Sequence, residues 1–142
     1  MKHSAQITKT LSANDVGETG GHQAGILVPK EKRILSFFPG LNPREKNPRV
    51  TLAFREADGI TRWDFNFIYY NNRLFGGTRN EYRLTCMTKY FRAHNAVVGD
   101  MVVLSKDVEG RLLVELKRSR NILEVTDDDV LVLSGGWKII RL

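Results

Sequence analysis

The fold class this sequence predicts is mainly β, a barrel or sandwich with only scraps of helix. Three observations predict it. Short apolar runs recur at roughly 8–12-residue spacing, the pitch of strand plus turn in all-β folds. Some of them alternate apolar and polar residues, as Val50 to Phe54 and Leu112 to Leu116 do, which is the period-2 pattern of a half-buried strand. Turn signals separate them, among them Ala57-Asp58-Gly59, Val97-Val98-Gly99-Asp100 and Glu109-Gly110. A chain of 142 residues fits one domain that buries a core without staples.

Ile7 to Leu11 is the first strand candidate. Asn14 to Gly25 is rich in Gly, Asn, Asp and Thr and reads as a loop that approaches something closely. Ile26-Leu27-Val28 is a short buried strand stopped by Pro29. Lys30 to Phe38 predicts one or two helical turns with Ile34, Leu35 and Phe38 on one face. Asn42 to Pro48 is a turn. Val50 to Phe54 and Ile60 to Tyr70 then form a hairpin. Met87 to Phe91 predicts a short helix, and Met101 to Leu104 pairs with Leu112 to Leu116. Asn121 to Val125, Val130 to Leu133 and Trp137 to Leu142 complete the strands.

Composition narrows the function classes. The chain carries 22 Lys+Arg against 16 Asp+Glu, a net charge of +6, so a polyanion is the favoured partner and nucleic acid the commonest polyanion. The lone Cys86 excludes an internal disulfide and a Cys-based zinc site, and fits a small core residue in a reducing, cytoplasmic setting. No apolar run reaches membrane-spanning length, and no signal-peptide core follows Met1. Neither metal nor other cofactor is expected. Gly20-Gly21 is not a phosphate-cradling nucleotide loop, because no Lys-Ser/Thr pair follows.

The most informative segment is Thr78-Arg79-Asn80-Glu81-Tyr82-Arg83, polar throughout and placed directly after the apolar run Phe65 to Phe75. If extended, it sends Arg79, Glu81 and Arg83 to one side, and Asn80 and Tyr82 to the other. Two guanidinium forks beside a carboxylate suit G·C pairs in a major groove, where Arg meets guanine O6/N7 and Glu accepts from cytosine N4. An ion-pair ladder on a solvated strand has the same composition and is the more ordinary occurrence.

Two sets of residues carry a resemblance. Leu11-Ser12-Ala13-Asn14-Asp15, Thr19-Gly20-Gly21-His22-Gln23, Tyr69-Tyr70-Asn71, Phe75-Gly76 and Thr78 to Glu81 resemble the N-terminal effector domain of EcoRII-type restriction endonucleases, over about residues 9–83. Val98 to Leu104 with Gly110-Arg111-Leu112 is similar to the plant B-three DNA-binding domain, over residues 84–118. Both resemblances imply one fold, a seven-stranded open pseudobarrel whose two arms clamp duplex DNA from the major-groove side. The first also implies a short pseudopalindromic target like CCWGG (W being A or T), read by a monomeric non-catalytic domain, with cleavage in a separate domain of a longer protein. The first arm would run from Asn14 through Thr19 to Gln23, with Gly20 and Gly21 allowing close approach and His22 and Gln23 facing base edges. Lys9 and Lys30 would contact phosphates. The second arm would be Thr78 to Arg83, with Arg79, Glu81 and Arg83 as readers and Asn80 free to hold the arm's own backbone.

The sequence departs from that family's pattern at Gly77 and Tyr82, where a Lys is expected in both positions. Each departure removes a phosphate charge; Tyr82 is left to stack on a sugar or pack against the arm. One enzyme reading competes: Asp100 with Glu115-Leu116-Lys117 has the spacing of a Mg²⁺-dependent PD-(D/E)XK nuclease. Against it, Asp100 lies in a turn, and Glu115 and Lys117 are the outward positions of an alternating strand. Asp127-Asp128-Asp129 reads as a solvated turn without calcium-loop spacing.

Overall fold

In the computed structural model, which describes residues 3–17, 25–119 and 130–140, the strands are β1 (His3–Thr10), β2 (Gly25–Val28), β3 (Arg49–Arg55), β4 (Arg62–Tyr70), β5 (Glu81–Thr85), β6 (Met101–Asp107), β7 (Leu112–Lys117), β8 (Val130–Val132) and β9 (Trp137–Ile140). Two short helices interrupt them, α1 (Lys32–Leu35) and α2 (Thr88–Ala93). The strands form one sheet in the order β2-β5-β4-β3-β7-β6-β1-β9-β8. Neighbours are antiparallel except β3 and β7, which run parallel through Phe54↔Leu112 and Arg55↔Leu113.

The sheet curls back on itself. β2 and β9 stand far apart in the strand order, yet Trp137 Nε1 donates to the Leu27 carbonyl at 3.0 Å. This side-chain hydrogen bond meets the sheet's far end at a seam that no ladder closes, which is the geometry of an open pseudobarrel. The core inside the curl takes Phe54, Phe65, Phe67, Leu84, Val102, Leu104 and Trp137 from the strands, and Ile34, Phe38, Met87 and Tyr90 from the helical segments. Glycine is required at one position of the β2–β5 ladder: a Cβ on Gly25 would lie 1.8 Å from the Leu84 carbonyl oxygen.

The mainly β pseudobarrel is as expected, with nine strands among the described residues in place of seven. The first seven in spatial order, β2 to β1, make the barrel wall, and the C-terminal hairpin β8–β9 extends it. Ile60, expected as the first residue of β4, stays outside it because the Asp58 carboxylate takes the amides of Ile60 and Thr61 at 2.8 and 2.9 Å. Cys86 corrects the sequence reading, since it is exposed. Its φ of +65° turns β5 toward α2 and swings the thiol outward, where Asn66 Nδ2 lies 3.5 Å from the sulfur. The strand expected at Asn121 to Val125 and the triple-Asp turn lie outside the described residues. Among the described residues, no helix is long and apolar enough to cross a membrane.

Candidate nucleic-acid interface

One end of the barrel gathers the expected site residues. β4 ends at Tyr70 and β5 begins at Glu81, paired to each other. Between them lies a 3-10 turn, Asn72–Phe75, closed by Gly76 in the left-handed conformation. The Gly77 amide donates to the Asn72 carbonyl at 2.7 Å, and a Cβ at position 77 would sit 2.7 Å from Asn72 Cβ. The missing Lys at 77 is thus matched by a tight turn that admits no side chain. Thr78, Arg79 and Asn80 lead into the strand; Glu81, Tyr82 and Arg83 are already in it. Tyr82 pairs with Tyr69 on one side and Val28 on the other, and Arg83 with Ile68 and Leu27.

Arg79 is held on two sides. Its guanidinium lies over the Tyr70 ring at 3.7 Å. Its Nε and Nη2 donate to Glu81 Oε1 at 2.9 and 2.5 Å. A guanidinium has five N–H donors in a rigid fork, so both Nη1 hydrogens and one on Nη2 stay available. Those are the donors of the end-on approach to guanine O6/N7. The side chain as a whole is 45% exposed. Arg83 Nε lies 3.6 Å from the other Glu81 oxygen. Burial pushes the Glu81 carboxyl upward, but the Arg79 hydrogen bond and the charges of Arg83 and Arg79 outweigh it, leaving Glu81 below the ordinary carboxylate range. The Arg–Glu–Arg array is therefore an ion-pair ladder that also fixes how Arg79 presents its free edge.

The opposite side of the arm is packed. Tyr82 stacks on Tyr69 at 4.3 Å and on Phe67 at 5.6 Å, and Phe67 stacks on Phe38 at 4.4 Å. The Tyr69 hydroxyl donates to Asn80 Oδ1 at 2.7 Å. Of the two roles open to Tyr82, this conformation shows packing against the arm, and Asn80 is held from its side chain by a neighbouring strand. An aromatic stack from the core thus braces the face that carries the guanidinium groups.

The base of the first arm lies across the seam from Arg83. Lys9, Asn14, Asp15, Leu27, Arg83 and Trp137 are among the residues lining an open concavity of about 610 Å³. Lys9 is buried; its Nζ lies 3.0 Å from Asp15 Oδ2 and donates to the Thr10 carbonyl at 2.9 Å. In this conformation it ties the root of the first arm to β1 and does not extend outward. Asn14 and Lys30 are exposed, and Lys30 follows β2 just beyond Val28, the partner of Tyr82. Thr19, Gly20, Gly21, His22 and Gln23 lie outside the described residues.

Tyr70, which the sequence marks with Tyr69 as core or arm support, supplies the platform under Arg79. One contributor escaped the sequence reading. Asn71, fully buried, accepts from the Asn47 amide at 2.7 Å and donates to the carbonyls of Glu45 and Pro43 at 2.6 and 3.2 Å. Its neighbour Arg73 is exposed, and its amide donates to the Arg79 carbonyl at 3.0 Å. A polar residue at a strand end gives no sequence signal of such a tie.

The first member of the nuclease constellation, Asp100, is engaged elsewhere. Asp100 is 1% exposed and accepts from the amides of Val97 and Ser119, each at 3.0 Å, and from Arg118 Nη1 at 3.1 Å. Burial raises its carboxyl, and these donors together bring it below the ordinary aspartate range. Both oxygens are committed to holding the turn. Among the described residues no group of three or more His, Cys, Asp or Glu stands ready for a metal. The folded pKa is the lower one, so the stability Asp100 adds is complete above the unfolded aspartate value of about 3.9 and is lost as pH falls through the folded value. Unfolding midpoints measured from pH 6 down to pH 2.5 should show this loss, and Asp100→Asn should flatten that part of the profile.

Comparison with known proteins agrees with this architecture. The family described as "Restriction endonuclease EcoRII, N-terminal" matches residues 1–124. The type II restriction enzyme EcoRII of Escherichia coli is 47% identical over 79 residues, covering 54% of this chain and 19% of that protein. The chain thus matches less than a fifth of that relative's length. Among solved structures, the Arabidopsis FUS3–DNA complex superposes with a TM-score of 0.62 at 20% identity, covering 79% of this chain and 95% of that one. The Arabidopsis thaliana transcription factor LEC2–DNA complex does so with 0.62 at 19% identity, covering 81% and 94%. At these identities the plant structures speak for the fold, while the family match spans most of the chain. The chain belongs to the family of the N-terminal domain of restriction endonuclease EcoRII.

Proposed function

We propose that this chain is a non-catalytic module that binds double-stranded DNA sequence-specifically through the major groove. The observation that carries the reading is Arg79, whose face rests on Tyr70 and whose flank rests on Glu81 in a half-exposed side chain, with the donors of its guanine-matching edge not taken up by Glu81. Family membership supports it, and so do the DNA complexes of the two plant structures that share the fold. The target is a short G·C-rich pseudopalindrome like CCWGG, gripped by arms 14–23 and 78–83, with the cutting done by a separate domain of a longer cytoplasmic enzyme. The domain by itself acts as a monomer, its two dissimilar arms meeting the two half-sites. Arg79 and Arg83 read guanines, Glu81 orients both and faces cytosine N4, and His22 and Gln23 contribute from the first arm. Asn14, Thr19, Gly20 and Gly21 let that arm approach closely, and Thr78, Asn80 and Tyr82 hold the second.

Fluorescence anisotropy at near-physiological salt tests the reading, with a CCWGG duplex and a scrambled duplex of equal composition, Mg²⁺ absent and then present. The expected result is at least about hundredfold tighter binding of the CCWGG duplex, without cleavage. Equal, salt-labile binding to both would remove the specificity claim. Cleavage on adding Mg²⁺ would return Asp100, Glu115 and Lys117 to the front, against the present engagement of Asp100.

Lys30 gives a separate check on the positioning contacts. Lys30→Ala is expected to weaken CCWGG and scrambled duplexes alike and to reduce the slope of log K against log salt by about 1. An unchanged slope would take Lys30 off the phosphate contacts.

A further inference from the structure

We propose that the loop between α1 and β3, residues 42–48, is a third gripping element that contacts DNA phosphates through Arg44 and Lys46. The inference rests on the DNA-binding reading above and extends it to a surface outside both arms.

The argument begins with Asn71, whose amide reaches three backbone groups of that loop, all more than twenty residues away in sequence. A fully buried side-chain amide with its oxygen and nitrogen both satisfied by one loop is a brace, since leaving such a group unpaired would be costly. The loop is held locally as well. Asn42 Oδ1 accepts from the Arg44 amide at 3.0 Å, Asn47 takes a φ of +51°, and the Tyr69 amide donates to the Pro48 carbonyl at 3.0 Å. The two cations are therefore carried on a stiff support.

The support stands at the arm end of the barrel. Asn71 directly follows Tyr70, the platform of Arg79, and precedes the turn whose Arg73 amide bonds the Arg79 carbonyl. The loop and the second arm thus hang on the same few residues and keep a fixed separation. Arg44 and Lys46 are exposed, and among the described residues neither pairs with a carboxylate. At the other end of the sheet, Arg62 and Arg111 are each paired, with Asp64 and with Asp107. Cations left unpaired on a rigid loop beside a base-reading arm suit a phosphate backbone, which fixes register without reading sequence. Glu45 lies between them and subtracts one charge.

The test is salt-dependent binding of the CCWGG and scrambled duplexes by the whole chain. The expected result for Arg44→Gln/Lys46→Gln is a roughly tenfold loss on both duplexes, with the slope of log K against log salt shallower by about 1.8, or 0.9 for each contact. Glu45→Gln should tighten both. Lys89→Gln/Arg92→Gln, which removes two exposed cations of α2 beyond the far end of β5, is the control for net charge. Asn71→Ala should reproduce part of the loss with every charge kept; where it lowers stability, the surface variants decide. If the loop variant and the α2 variant behave alike while wild type still prefers CCWGG, the third element is wrong and the DNA reading stands. If wild type binds neither duplex, both fall together.

Discussion

Arg79→Ala is expected to weaken binding of a cognate duplex by about 1–3 kcal/mol and to relax discrimination at one G·C pair, while binding to a scrambled duplex changes much less. The reason is geometric. Tyr70 and Glu81 fix the plane and one flank of the guanidinium, so little ordering is left to do when its end meets a base. Arg79→Lys separates charge from shape, because an ammonium keeps the charge and loses the planar fork. It should restore binding to random sequence and leave the specific preference low. Anisotropy titrations against single-pair variants of CCWGG check this directly. Equal losses on cognate and scrambled duplexes would reduce Arg79 to a phosphate contact.

Gly25→Ala is expected to cost at least about 3 kcal/mol of folding stability, at the upper end of what overpacking costs. The added Cβ would meet Leu84 O at 1.8 Å and Leu84 C at 2.7 Å, which are backbone atoms unable to rotate away. Relief requires moving β2 off β5. That shift would also pull the Leu27 carbonyl from Trp137 and remove the outer neighbour of Tyr82 and Arg83. The drop in Tm should be roughly 10 °C, with specific DNA binding lost in step. Gly40→Ala is the control, since nothing lies within 4 Å of a Cβ there. A Gly25→Ala protein that melts within a degree or two of wild type would mean that β2 sits loosely on β5.

Much of the fold was legible because period-2 patterning reports directly on a sheet with one buried face. β3, β4 and β7 fall where alternating apolar residues and turn signals put them, and β6 where a short continuous apolar run follows the Gly99-Asp100 turn. The helices were legible only coarsely: α1 is a single turn whose apolar residues continue past it into Phe37 and Phe38. Cys86 was misread because a small apolar residue beside a strand normally packs inward, and the left-handed backbone that reverses this has no marker in a non-glycine residue. Of the site, the two faces of residues 79–83 followed from geometry alone, whereas Lys9 looked like any loop-flanking cation until its Asp15 partner was seen.

By itself, then, the sequence determined the class of fold, the basic balance, the two faces of the second arm and the family resemblance, since each depends on residue identity and near-neighbour spacing. The tertiary structure alone decided what depends on contacts between distant residues. It set the platform under Arg79, the closure of the seam by Trp137 on Leu27, the engagement of Asp100 by Arg118, and the bracing of loop 42–48 by Asn71. Local periodicity can say which way a side chain points, but not which strand or loop the curled sheet will bring to meet it.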